Sequence, residues 1–130
     1  MKTMMMMLAL AFSFVSGCSG AGDTAQRVFA DMSANMREMS AILASVTDEA
    51  SARAALPKID AVRAKMRDCA RRARGVPRPD AATEQALNAA MLAVQRDVMP
   101  AIAAAKQRLA AQPELMAIIA PALQGMENDL

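Results

Sequence analysis

Apolar residues in this chain follow two patterns: an unbroken run near the start, and after it stripes spaced by threes and fours. From Asp23 or Thr24, either able to cap, the spacing predicts a helix to about Val46. Its inward seam would be Phe29, Met32, Met36, Met39, Leu43 and Val46, with Arg27, Asp31, Ser33, Asn35, Arg37 and Glu38 on the solvated side. A second helix should start between Asp48 and Ser51 and stop near Arg74 at Gly75, turning Ala52, Ala55, Ile59, Val62, Met66, Cys69 and Ala73 inward with Leu56 beside them. Pro57 removes a backbone donor and predicts a kink or a shortened start. Val76-Pro77-Arg78-Pro79 cannot continue a helix and reads as a rigid connection. A third helix, capped by Asp80 or Thr83, runs through Leu87, Met91, Val94, Val98, Ala101 and Ala105 to about Ala111, bending or breaking near Pro100. Pro113 fits the first position of a shorter fourth segment, Glu114 to about Gln124, carrying Leu115, Ile118, Ile119, Ala122 and Leu123, with Pro121 making it irregular. The expected fold is all-α: an antiparallel three- to four-helix bundle in which three long helices pack together and the fourth segment closes one end.

The leading run is of another kind. After the positive start Met1-Lys2-Thr3, residues 4–15 carry no charge over a length of about twelve residues, which suits a signal-peptide core and is too short to span the bilayer as a helix. Small residues at Ser16 and Gly17 then precede Cys18. Val15-Ser16-Gly17-Cys18 resembles the lipobox of bacterial lipoprotein precursors, with Val15 where leucine is usual. That resemblance implies cleavage between Gly17 and Cys18 and a covalent lipid on Cys18: a diacylglyceryl group on sulfur and an acyl group such as palmitate on the new amino terminus. One acyl chain binds a bilayer only marginally, so several are needed for a lasting anchor. By the same resemblance, Ser19 after the cysteine points to the outer membrane of a two-membrane host, facing the periplasm. The chain thus divides into a cleaved signal (1–17), a lipidated tether (18–22) and the bundle (23–130). Ser19-Gly20-Ala21-Gly22, as a flexible coil, reaches about 11 Å, which keeps the domain near its membrane.

Composition narrows the chemistry. The 130-residue chain has no histidine, tyrosine or tryptophan, and outside the leader Phe29 is its only aromatic residue. The commonest acid, base and orienting side chains are therefore missing, and the carboxylates are scattered along helix faces and caps, so no enzyme is expected. Fifteen basic side chains face thirteen acidic ones, a balance that does not favour general polyanion binding. With Cys18 taken by lipid, Cys69 has no intramolecular partner and no disulfide is expected.

Three features invite a functional reading beside a structural one. Met32, Met36 and Met39 share a helix face, and Met66 and Cys69 lie three apart on the next; thioethers and thiolates select Cu(I), but these positions are also the core seam, where methionine is an adaptable filler. Cys69 alone reads as a small buried residue or as a reactive thiol. Arg63, Lys65, Arg67, Arg71, Arg72, Arg74 and Arg78 crowd the end of the second helix, opposed in sequence only by Asp68. They complement a helix C-terminus, or they meet an anionic surface.

Residues 46–52 (Val-Thr-Asp-Glu-Ala-Ser-Ala) and 54–59 (Ala-Ala-Leu-Pro-Lys-Ile) resemble those of small alanine- and methionine-rich helical proteins of bacteria, many with lipoprotein signals; the likeness covers roughly residues 32–66. It implies a helical fold and no particular activity. The whole reads as a lipid-anchored envelope protein acting as a structural or interaction module. Its partners would be the membrane, an envelope protein or a second copy of itself, with no nucleic acid, no cofactor beyond the covalent lipid and no small-molecule substrate.

Overall fold

A computed structural model describes residues 23–128; the lipobox, with Gly17 and Cys18, lies outside the described residues. Five helices follow in order: α1 (Ala25–Ser45), α2 (Glu49–Arg74), α3 (Ala81–Asp97), α4 (Met99–Ala110) and α5 (Pro113–Asn128). Among the described residues there is no strand.

Local chemistry sets the boundaries. The Thr24 hydroxyl accepts from the Arg27 amide at the start of α1, and Asp48 and Ser51 form a reciprocal capping box at the start of α2. Because that box fixes the start at Glu49, α2 is not shortened by Pro57, which lies exposed within a continuous helix. Asp80 accepts from the Thr83 amide to open α3. At Val98 the third helix of the sequence breaks by one residue, and Pro100 falls in the first turn of α4, where its missing N–H costs nothing. The two halves stay coupled, because the Val98 amide donates to Val94 and its carbonyl accepts from Ile102. They act as one bent rod. Pro113 opens α5 as expected, and that helix runs through Pro121 to Asn128.

Packing differs from a simple hairpin stack. α2 lies against α1 and α5, and α4 against α1, α3 and α5, while the backbones of α1 and α5, and of α2 and either α3 or α4, do not approach closely. Around the square the order is therefore α1, α2, α5, α4. The α1/α2 and α4/α5 neighbours run antiparallel, whereas α1/α4 and α2/α5 run parallel. Residues 75–80 accordingly cross the diagonal at one end. The two prolines make this feasible: six extended residues span up to about 20 Å, more than the roughly 11–14 Å diagonal of helices 8–10 Å apart.

α5 is thus a full side of the core and not a closure at one end. Leu115, Ile119, Ala122 and Leu123 join Met39, Leu43, Val46, Ala55, Ile59, Val62 and Leu109 in one buried cluster. Close approach of α5 to α2 is marked by Gly125, where any Cβ would press on the Arg63 guanidinium. The seam of α1 is wider than its spacing predicts, because α1 sits at a corner and faces two neighbours. Val28, Asn35, Ile42 and Ser33 are buried with Met39, Leu43 and Val46, while Phe29, Met32 and Met36 are half-buried. Ser33 and Asn35, expected in solvent, are therefore interior residues. α3 contacts only α1 and α4, and of its expected inward residues Val94 alone is buried. Leu87 is half-buried, Met91 is 45% exposed, and Leu92 (66%) and Met99 (44%) also face solvent. Ala101 and Ala73 are exposed for the same reason: no helix covers them.

Candidate functional site

The basic stretch of α2 lies beside the first half of α1, and the fold brings to it acids that are distant in sequence. Arg72 is the hub. Its Nε donates to Asp23 Oδ2 at 2.9 Å and its Nη2 to Asp23 Oδ1 at 2.7 Å, a two-point fork, while Nη2 also meets Asp31 Oδ2 at 2.9 Å. Asp68, one turn earlier on α2, lies 3.5 Å from Nη1. Three carboxylates thus surround one guanidinium, tying the start of α1 to the last turns of α2. The hydrogen bond from Arg72 holds the Asp23 carboxyl below its usual range, and Asp23 and Asp31 together push the guanidinium further up.

Most of the remaining cluster is also engaged. Lys65 pairs with Glu38 of α1 at 2.8 Å, Arg71 with Asp68, Arg63 with Asp60 at 3.3 Å, and Arg78 stands 4.0 Å from Glu84 of α3. Arg63 is largely covered and lies under α5; Arg67, Arg71, Arg74 and Arg78 are exposed. In sequence the stretch is opposed only by Asp68, but the fold supplies Asp23 from just ahead of α1 and Asp31 and Glu38 from α1 itself.

Beneath this network a shallow groove of about 630 Å³ runs between α1 and α2, with Cys69 and Asn35 at its floor. Asn35 Nδ2 donates to Cys69 Sγ at 3.5 Å, which gives the buried amide a partner across the helix pair. Burial pushes the Cys69 thiol up, outweighing the opposing pull of Arg72. A thiol held neutral is a weak nucleophile and a poor metal ligand until it loses its proton. Native protein should therefore react with a thiol reagent far more slowly than protein in denaturant; equal rates would contradict the buried position. Of the candidate thioethers, Met39 and Met66 belong to the closed core, Met36 packs against it, and Met32 is half-buried. Among the described residues no three cysteine or carboxylate groups are placed to hold a metal ion.

The carboxylates set the pH response. Asp23, Asp48 and Asp80 are all held low, by Arg72, by Ser51 and by Thr83 respectively. A carboxyl that ionises more readily folded than unfolded contributes fully above its unfolded value and loses that contribution as pH falls through the folded one. The melting temperature should therefore hold from pH 7 to 5 and drop below about pH 4, where carboxylates protonate. Arg72→Met should flatten that acid limb and Arg71→Ala leave it unchanged, as thermal melts across pH will show.

Sequence reasoning found the cations but missed their partners. The signals were faint: Asn35 lies seven residues after Val28 and four before Met39, in the buried column, and Asp23 and Asp31 flank the first two turns of α1.

Together these features define a small all-α bundle, with no described helix long and apolar enough to cross a membrane. No protein-family model matches the chain, nor does any curated protein or solved structure.

Proposed function

We propose that the chain is a lipid-anchored cell-envelope protein whose bundle serves as a structural or interaction module held close to a membrane. The observation that carries this reading is the sequence order: a lipobox at Val15–Cys18, four small tether residues, and then, from Thr24, the cap and first helix of a packed domain. Such an arrangement suits an anchor whose acyl chains hold a folded module at the surface. The buried neutral thiol and the internally paired cations favour a module that works by contact over one that works by chemistry.

Intact mass and membrane fractionation of the mature protein, beside a Cys18→Ala variant, provide the test. The expected result is a chain beginning at an acylated Cys18 in the membrane fraction, with the variant unacylated and released. An unmodified wild type in the soluble fraction would overturn the proposal.

A further inference from the structure

One end of the bundle differs from the other in a way that the anchor gives meaning to. At the end where α1 begins, residues 75–80 cross and α3 starts, an apolar groove of about 310 Å³ is lined by Val28, Phe29, Val76, Pro77, Pro79 and Leu87. Arg27, Arg74 and Arg78 are exposed around it. Of the nearby acids, Asp23 and Asp31 hold Arg72 and Asp80 caps α3, while Glu84 stands 4.0 Å from the exposed Arg78 guanidinium, at the outer limit of an ion pair. At the opposite end the corresponding groove is lined by Thr47, Asp48, Glu49, Gln112 and Glu114 with Pro113 and Leu115, so it is more polar and its charged lining is acidic, with Asp48 engaged in the α2 cap and Glu49 paired with Arg53.

The chain enters at the apolar end. Ala25, Val28 and Phe29, in the first two turns of α1, form one wall of the groove, and Cys18 lies only five residues before Asp23. Fully extended, those five residues reach at most about 17 Å, roughly half the ~31 Å length of a 21-residue helix. A tether this short also lets the bundle lie on its side, so the surface chemistry has to choose the orientation. Apolar and aromatic groups favour the boundary between headgroups and acyl chains, while arginine keeps its stem in that layer and its guanidinium on phosphate. We propose that this end seats on the leaflet carrying the Cys18 lipid, with the Phe29–Val76–Leu87 groove entering the interfacial layer. Arg27, Arg74 and Arg78 then meet lipid phosphates, and the acidic end points away. The proposal rests on the lipid-anchor reading above.

Acylated mature protein is reconstituted into vesicles of phosphatidylethanolamine and phosphatidylglycerol, with Cys69→Ala removing the other thiol. A fluorophore is placed on Pro77→Cys or, at the far end, on Ala111→Cys, and lipids bearing a spin-label quencher are added. Circular dichroism checks the helical fold, and intact mass checks acylation. Several-fold stronger quenching at position 77 than at 111 is the expected result. Weak quenching at both sites in acylated protein would overturn the seating and leave the anchor standing. Strong quenching at both would mean that the bundle lies flat and would also overturn it. A mass without acyl chains, together with no quenching, would overturn both proposals.

Discussion

Ile119→Ala lowers the stability of the bundle by about 2–5 kcal/mol, the range for truncating a large aliphatic side chain in a closed core. Ile119 is wholly buried in α5, within the cluster that joins Ile59 and Val62 of α2 to Leu109 of α4. The neighbouring helices are held by their other contacts, so they fill the void only in part. For a domain of this size the loss corresponds to a fall in melting temperature of order 10 °C. Leu92→Ala, on the exposed face of α3, provides the comparison and leaves the melt nearly unchanged. If Ile119→Ala proved as mild as Leu92→Ala, α5 would be a loosely attached end segment and not a side of the square. Calorimetry or chemical denaturation of both variants decides between these.

Arg108→Met produces the second large effect, for a different reason. α1 ends with no basic residue in its last turn and no side-chain cap at Val46. The cation comes from another helix: Arg108 of α4 donates through Nη1 to the Val46 carbonyl at 2.7 Å and through Nη2 to the Leu43 carbonyl at 3.0 Å. The Leu43 carbonyl also accepts from the Val46 amide at 3.3 Å, so Arg108 adds a second donor there and supplies one to the Val46 carbonyl at the helix end. Methionine keeps the stem's packing and removes both donors, at a cost of about 1.5–3 kcal/mol for hydrogen bonds from a charged group. Arg108→Lys should recover part of the loss, since an ammonium lacks the planar fork. Denaturant melts should show a lower midpoint at an unchanged slope. Hydrogen exchange should quicken at the end of α1. A silent Arg108→Met would mean that water caps those carbonyls equally well.

Arg108 also shows where reading along the chain stops. It lies near alanines in a helix whose spacing marks Ala105 as inward, and nothing nearby points to Leu43 or Val46 as its target. The same holds for Arg72, whose local partner Asp68 is legible four residues back. Asp23, just ahead of α1, and Asp31, on α1, make the shorter contacts. Caps were legible because a cap and its helix are three residues apart: Thr24 with Arg27, Asp48 with Ser51, Asp80 with Thr83.

What the sequence by itself determined is where helices begin and most of where they end. The period of the apolar stripes, the capping oxygens and the positions of Gly75 and Pro113 act within a few residues, so local chemistry places α1, α2 and the starts of α3 and α5; the break at Val98 stood open beside a bend, and α5 continues past Gln124 to Asn128. The same stripes gave the buried faces of α2 and α5 almost residue for residue, because each of these faces points into one closed core. Tertiary structure alone decided which helices are neighbours. The crossing of residues 75–80 put α3 and α4 beside α1, widened the buried face of α1 to take in Ser33 and Asn35, and left Met91, Leu92 and Met99 in solvent. Neighbour choice depends on the summed fit of whole helix faces and on the reach of a connection, and neither quantity resides in any short stretch of chain.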